Sequence, residues 1–148
     1  MTCCKHRLEI ILMIEKKLSD IGKFCYICAI EICKMEAKFK VIYSADAWDF
    51  LHSLPEKVQD KIAYNISKSR YLIDNKLFKK LEGTEIWEFR TLYGGICYRL
   101  LAFWDTEQET LVIATHGFIK KTDKTPSKEI DRAERIRKEY FNDKIKKI

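Results

Sequence analysis

Apolar and polar residues alternate along three consecutive segments between positions 87 and 121, and turn residues separate each segment from the next. Alternation of this kind, rich in aromatic and β-branched residues, is typical of β-strands. Gly94-Gly95 lies between the first two segments, so we predict that these strands pair as a hairpin. Arg90 and Arg99 flank that turn, and antiparallel pairing would bring both guanidinium groups into one region.

Helical spacing of apolar residues occurs on both sides of these strands. After a short alternating segment at 38–43, Ser44 offers a helix cap, and Pro55 divides the helix that follows from a longer one. Beyond the sheet, Pro126 precedes a last helix with apolar positions at helical intervals. The pattern predicts an α+β fold with a small, antiparallel-rich sheet of about four strands. An N-terminal helical hairpin would cover one face, a C-terminal helix would follow, and the other face would stay partly open.

Residues 1–34 differ in composition from the rest of the chain. They carry two apolar segments, at 8–14 and 24–32. Neither segment reaches the length of roughly 18 residues that spans a bilayer, and no small-residue cleavage site follows the basic start. We therefore expect residues 1–34 to be an extension outside the core, residues 35–148 to be the core domain, and the protein to have no membrane partner.

All of the six cysteines except Cys97 lie before Met35, which argues against a disulfide framework for the whole domain. Cys25 and Cys28 have the spacing of a metal pair, but neither a second such pair nor a His-x-x-x-His motif accompanies them. Incidental thiols in a reducing compartment are the simpler interpretation. We expect a cytoplasmic protein that uses no metal and no cofactor.

Positive charge is concentrated towards the end of the chain. The formal net charge is +6 and the pI is about 8.9, and after His116 lysines and arginines outnumber acids by five. This distribution permits an anionic partner, although a charge-rich helix is often simply a solvated face.

Four short motifs together resemble a known family. They are Phe-Lys-Lys-Leu-Glu-Gly at 78–83, Trp-Glu-Phe-Arg at 87–90, Tyr-Arg at 98–99, and His-Gly-Phe-Ile-Lys-Lys-Thr-Asp-Lys-Thr-Pro at 116–126. Their order and spacing resemble the RelE/ParE toxin superfamily, and most of all its HigB-like, phage-derived branch, over about Met35 to Phe141. The resemblance implies a toxin of a type II toxin–antitoxin pair that cleaves messenger RNA, commonly on the ribosome. It also implies neutralisation by a partner antitoxin similar to a helix-turn-helix DNA-binding protein.

Metal-free RNA cleavage uses the neighbouring 2′-hydroxyl as nucleophile, so the protein must assist its deprotonation and stabilise the charge that develops on phosphorus. Arg99 is the first candidate for this stabilisation, because a guanidinium holds two phosphate oxygens and stays charged near neutral pH. Arg90 is the second candidate. We expect Arg99 to face the surface, so that its loss would leave the domain folded. The alternative for both arginines is a structural salt bridge to Glu85, Glu88 or Asp105.

Other candidate residues follow the hairpin. His116 is a candidate proton donor or acceptor, because histidine titrates near the working pH, but a structural role is the alternative. The resemblance implies phosphate contacts for Lys120 and Lys121, which follow on the last strand, and with less support for Lys124. Tyr98 is a candidate to stack on an unpaired base, unless it belongs to the core.

One departure from the family pattern concerns the mechanism. In the RelE branch the strand before the glycine turn is rich in lysine, whereas here the segment at 85–90 reads Glu-Ile-Trp-Glu-Phe-Arg. The identity of the general base is therefore open. Toxins that resemble ParE lack such residues and act on DNA gyrase, so gyrase inhibition is the first alternative function. A non-catalytic basic binding module is the second.

Overall fold

The computed structural model describes residues 36–105, 107–108 and 111–146. The expectations for residues 1–34, including those for the cysteines in that segment, lie outside the described residues. Within the described part of the chain, no helix is both long enough and apolar enough to cross a bilayer.

The order of elements confirms the predicted α+β class. In the described residues it is β1 (Lys40–Tyr43), α1 (Ala45–His52), α2 (Glu56–Tyr71), β2 (Phe78–Lys80), β3 (Ile86–Tyr93), β4 (Ile96–Trp104), β5 (Leu111–Lys120) and α3 (Ser127–Lys146). Ser44 caps α1, because its side chain accepts a hydrogen bond from the Ala47 amide. Pro55 precedes α2, where its missing N–H costs the helix nothing.

The strands form one mixed sheet in the order β1-β5-β4-β3-β2. The pairs β2–β3, β3–β4 and β4–β5 are antiparallel, whereas β1 runs parallel to β5. The short β2 is additional to the strands that the sequence predicted. Gly94 and Gly95 adopt φ values of 57° and 76°, the left-handed backbone that a tight hairpin turn requires and that glycine adopts without strain.

Both faces of the sheet are covered by helices. On one face, Leu100 and Ala102 of β4 belong to a core with Val58, Ile62 and Ile66 of α2. On the other face, Leu101, Phe103 and Ile113 pack with Ala133, Tyr140 and Phe141 of α3. The apolar stripe of α3 therefore covers this part of the second face, while the hairpin end of the same face stays open, as expected, with Leu92 64% exposed.

A buried carboxylate ties α3 to the end of β4. Asp105 is fully buried, and its Oδ2 accepts hydrogen bonds from the Tyr140 hydroxyl at 2.8 Å and from Lys144 Nζ at 2.6 Å. Burial alone would raise the pKa of Asp105, but the hydrogen bonds from Lys144, Tyr140 and the Glu107 amide outweigh it and hold the pKa below its usual range. Asp105 is therefore engaged by α3 and is no partner of the two strand arginines.

Gly117 of β5 lies directly beneath the ring of Phe50 on α1. A Cβ atom at this position would come within 1.9 Å of Phe50 Cδ1. We expect Gly117→Ala to lower the free energy of unfolding by about 1–3 kcal/mol through overpacking. Urea denaturation measures this loss, and Phe50→Leu in the same chain should restore part of it. An unchanged urea midpoint in Gly117→Ala would contradict this packing.

Candidate functional site

A pocket of about 580 Å³ lies where α2 approaches the β3–β4 hairpin. Its lining residues are Lys61, Tyr64, Asn65, Lys68, Lys76, Leu77, Arg90, Thr91, Leu92, Cys97 and Arg99. Five of these described residues are lysine or arginine and none is acidic. A concave surface lined by positive charges concentrates anions from solution.

Arg90 and Arg99 are direct partners in the β3–β4 pairing, as the hairpin predicted, so their side chains lie on the same face of the sheet. The two Nε atoms approach one carboxylate oxygen, Oε1 of Glu88, at 3.3 Å from Arg90 and 3.0 Å from Arg99. Glu88 is buried, and its other oxygen accepts a hydrogen bond from the Thr125 hydroxyl. Two permanent cations thus share one anion, which leaves one positive charge uncompensated within this group of three.

Both guanidinium groups have N–H donors that are available to a ligand. Neither Nε makes a well-aligned hydrogen bond to any described residue, although both lie close to Glu88. Arg99 Nη1 donates to the Tyr98 carbonyl at 3.0 Å, and Arg90 Nη1 donates to the Asn75 carbonyl at 3.4 Å. Because each guanidinium carries five N–H donors, these bonds leave capacity for a ligand oxygen.

Arg99 does not face the surface, so that expectation is wrong. Its side chain is 8% exposed, whereas that of Arg90 is 33% exposed. The reason is topological: β4 is the middle strand of five, and Arg99 lies between Arg90 on β3 and Phe118 on β5. Arg99 is therefore both a lining residue of the pocket and a member of a buried ion pair.

His116 and Tyr98 lie away from the pocket lining. His116 is buried on β5, where Nδ1 lies 3.1 Å from the Thr115 hydroxyl and Nε2 lies 3.0 Å from Glu129 Oε2. Tyr98 belongs to the core on the α2 side of the sheet. Catalysis by His116 and stacking by Tyr98 stay predictions, and neither buried side chain reaches the pocket.

The three predicted lysines follow one another past the end of β5. Lys120 pairs with Cys97, a lining residue of the pocket, and is half-buried. Lys121 and Lys124 are exposed in the segment that leads to α3. The register therefore places Lys120 beside the pocket, while phosphate contacts by all three lysines stay a prediction.

Sequence reasoning missed the contribution of α2 and the loop after it. Lys61, Tyr64 and Lys68 lie on one side of α2, and Lys76 follows in the loop before β2. Their spacing is visible in the sequence, but charged residues on a helix more often mark a solvated face. Only the folded chain shows that this side of α2 lines the same pocket as the two arginines. Among the described residues, no group of three or more histidine, cysteine or acidic side chains is arranged to hold a metal ion.

The buried His116 predicts a pH-dependent stability. Burial lowers the pKa of His116 below its ordinary value, and the hydrogen bond to Glu129 offsets this only in part. The unfolded chain, with a histidine pKa of about 6.5, therefore binds the proton more readily. Stability that is present above this pH is lost as the pH falls towards the folded-state pKa.

We expect urea denaturation to give a lower free energy of unfolding at about pH 5 than at about pH 7.5, by this linkage. The decrease should be smaller in His116→Gln, and His52→Gln provides the control at an exposed histidine. An equal decrease in wild type and His116→Gln would show that another group is responsible.

The fold and the pocket define a small α+β domain with an anion-attracting cleft that is lined by a pair of arginines, of which Arg99 is buried. The family described as "Phage derived protein Gp49-like" matches residues 49–138. Because this match covers more than half of the chain, the protein belongs to that family.

Two solved structures are similar to this chain. One is the toxin–antitoxin complex RelBE2 from Mycobacterium tuberculosis, at 21% identity and a TM-score of 0.42, with 56% of this chain and 99% of that chain covered. The other is a mutant of the E. coli toxin RelE in the free state, at 15% identity and a TM-score of 0.44, with 55% and 82% covered. No curated protein sequence matches the chain.

Proposed function

We propose that this protein is a toxin of a type II toxin–antitoxin system, from the HigB-like branch of the RelE/ParE superfamily, and that it cleaves messenger RNA without a metal. The observation that carries the proposal is the pocket itself, whose lining contains five cations and, among the described residues, no acid. The order and spacing of the motifs at 78–126 supply the class of protein.

The two arginines would act on the phosphate at the cleavage site. In such a reaction the 2′-hydroxyl loses its proton to a base and its oxygen forms a bond to phosphorus. The bond from phosphorus to the 5′-oxygen breaks, the 5′-oxygen takes up a proton, and a 2′,3′-cyclic phosphate results. Negative charge increases on the non-bridging oxygens in the transition state, where guanidinium donors stabilise it most. Arg90, the more exposed of the two, would contact the phosphate first. Arg99 would complete the contact from inside the pocket, and the general base is not assigned.

Glu88 would position these arginines for the reaction. Its Oε1 lies within 3.3 Å of both Nε atoms, so it holds the guanidinium groups side by side despite their repulsion. Since one positive charge stays uncompensated, the group of three still attracts a phosphate.

The same proposal covers the partners and the location of the protein. We propose a helix-turn-helix antitoxin as the neutralising partner, messenger RNA on the ribosome as the substrate, and the cytoplasm as the compartment. Phosphate contacts by Lys120, Lys121 and Lys124 belong to this proposal, because they follow the strand that borders Arg99.

Inhibition of DNA gyrase is the second candidate. The specific observation that favours it is Glu88, an acid on the strand where RelE-like ribonucleases are rich in lysine. This acid reduces the net charge of the arginine pair and stands on a strand that carries no lysine at 85–90.

Controlled expression in a bacterial host, followed by mapping of transcript 5′ ends, separates the two candidates. We expect growth arrest, new 5′ ends within coding sequences, and rescue by a neighbouring gene for a small helix-turn-helix protein. Purified chain should reproduce the cleavage on ribosome-bound messenger RNA in the presence of EDTA. Arrest with DNA damage and intact transcripts would favour gyrase inhibition, and neither toxicity nor cut RNA would refute both.

A further inference from the structure

The side of α2 that borders the pocket has a chemical character that the cleavage step does not use. Lys61, Tyr64 and Lys68 are spaced at i, i+3 and i+7, so they form one strip along the helix. The strip lies roughly 100° around the helix axis from the buried Val58 and Ile62, at 100° per residue. It therefore faces sideways from the core and forms a wall of the pocket.

Tyr64 offers an open aromatic face on this wall. The residue is 59% exposed, and Lys61 Nζ lies 5.2 Å from the ring centroid. A tyrosine of the core would be covered, whereas this ring meets solvent beside two lysines. Exposed rings interleaved with cations are typical of proteins that bind single-stranded nucleic acid, where bases stack on the rings and phosphates contact the cations.

The wall is fixed relative to the arginine pair. Buried Asn65, next to Tyr64, donates a side-chain hydrogen bond of 3.1 Å to the hydroxyl of buried Thr91 on β3. Thr91 directly follows Arg90. The bond joins α2 to the strand that carries Arg90, although the side chains of Thr91 and Arg90 point to opposite faces of that strand. It therefore holds the strip at a fixed position in the pocket whose lining also includes the two arginines.

We propose that this strip, formed by Lys61, Tyr64 and Lys68 together with Lys76 of the next loop, binds unpaired RNA next to the scissile phosphate. Tyr64 stacks on a base and the lysines contact the flanking phosphates. The proposal rests on the ribonuclease function above and adds the surface of the chain that holds the unpaired strand. Bases within a duplex are already stacked on one another and cannot offer a face to the side of a helix.

Binding of an uncleavable RNA tests the strip independently of catalysis. The probe is a 2′-O-methyl RNA of about ten nucleotides, a length within the site sizes of single-strand binders, in which methylation removes the nucleophile. Fluorescence anisotropy with the full chain should show Tyr64→Ala to weaken binding about tenfold, the loss expected for one stacked base. Tyr64→Phe, which keeps the ring, should bind as wild type does.

The salt dependence of RNA binding measures the contribution of the lysines. Lys61→Ala with Lys68→Ala should lower the slope of log Kd against log salt by about 1.4, since each single-strand phosphate contact contributes about 0.7. Lys128→Ala, at an exposed lysine of α3 outside the pocket lining, is the matched control and should leave the slope unchanged.

If Tyr64→Ala and the double lysine variant bind the RNA probe with unchanged affinity, the proposed role of the strip is wrong, even if the wild type cleaves RNA. Tighter binding of poly-glutamate than of the RNA probe would overturn it too, in favour of an acidic protein partner. Weakened RNA binding in a chain that never cuts RNA would support the strip and refute only the ribonuclease function.

Discussion

Replacement of Arg99 by lysine is expected to lower the rate of RNA cleavage about 100-fold, the usual cost of losing one preorganised donor to a transition state, while the chain stays folded. Lysine keeps the positive charge next to Glu88, so the buried ion pair survives. Its ammonium is a point charge, and it cannot present the planar fork that contacts Glu88 and two phosphate oxygens together. Initial rates on ribosome-bound messenger RNA and urea denaturation measure the two effects separately.

Arg99→Ala is expected to have a larger effect than Arg99→Lys, because Arg99 is buried and alanine removes its charge. Loss of one partner from a buried ion pair costs about 3 kcal/mol, so this variant should lose stability as well as activity. The matched control for Arg99→Lys is Arg135→Lys, at an exposed position of α3, which should change neither stability nor activity. Full activity in Arg99→Lys would remove Arg99 from the mechanism and leave it a purely structural role.

Glu88→Gln is expected to lower the free energy of unfolding by about 3 kcal/mol. Without the carboxylate, the buried Arg99 would lose its partner and would repel the neighbouring Arg90, because both guanidinium groups now share the one anion. The comparison is Glu85→Gln, because Glu85 is an exposed acid paired with Lys80 at 3.0 Å, and its loss should cost less than about 1 kcal/mol. Urea denaturation of both variants measures the difference.

Inorganic phosphate provides a second measurement on the same variant. We expect phosphate to raise the urea midpoint of Glu88→Gln more than that of wild type, because an anion in the pocket replaces the missing charge. Equal stability of Glu88→Gln and Glu85→Gln would show that the arginines do not depend on Glu88.

The sequence was sufficient for those parts of the fold that follow from local patterns. Alternation and the glycine turn predicted the β3–β4 hairpin and the pairing of Arg90 with Arg99, and Pro55 marked the boundary between the first two helices. Strand β2 was missed because three residues are too few to display a period of two.

The site was less predictable, because it depends on which elements cover which strand. Burial of Arg99 follows from the central place of β4 in the sheet, and no local pattern records strand order. Tyr98 and His116 alternate along their strands as candidate site residues would, yet both point into covered regions. The lysines of α2 resemble any solvated helix face until the chain folds and brings them beside the arginines.

The Gly94-Gly95 turn sets more than the path of the chain. Successive side chains of a strand point to opposite faces, so a single inserted residue at this turn would shift β4 by one position against β3. Arg99 would then project into the core that Leu100 and Ala102 now form with α2, while Arg90 stayed with Glu88, and the two charges would lie on opposite faces of the sheet. The two-residue length of this loop thus determines how far apart the two cations lie.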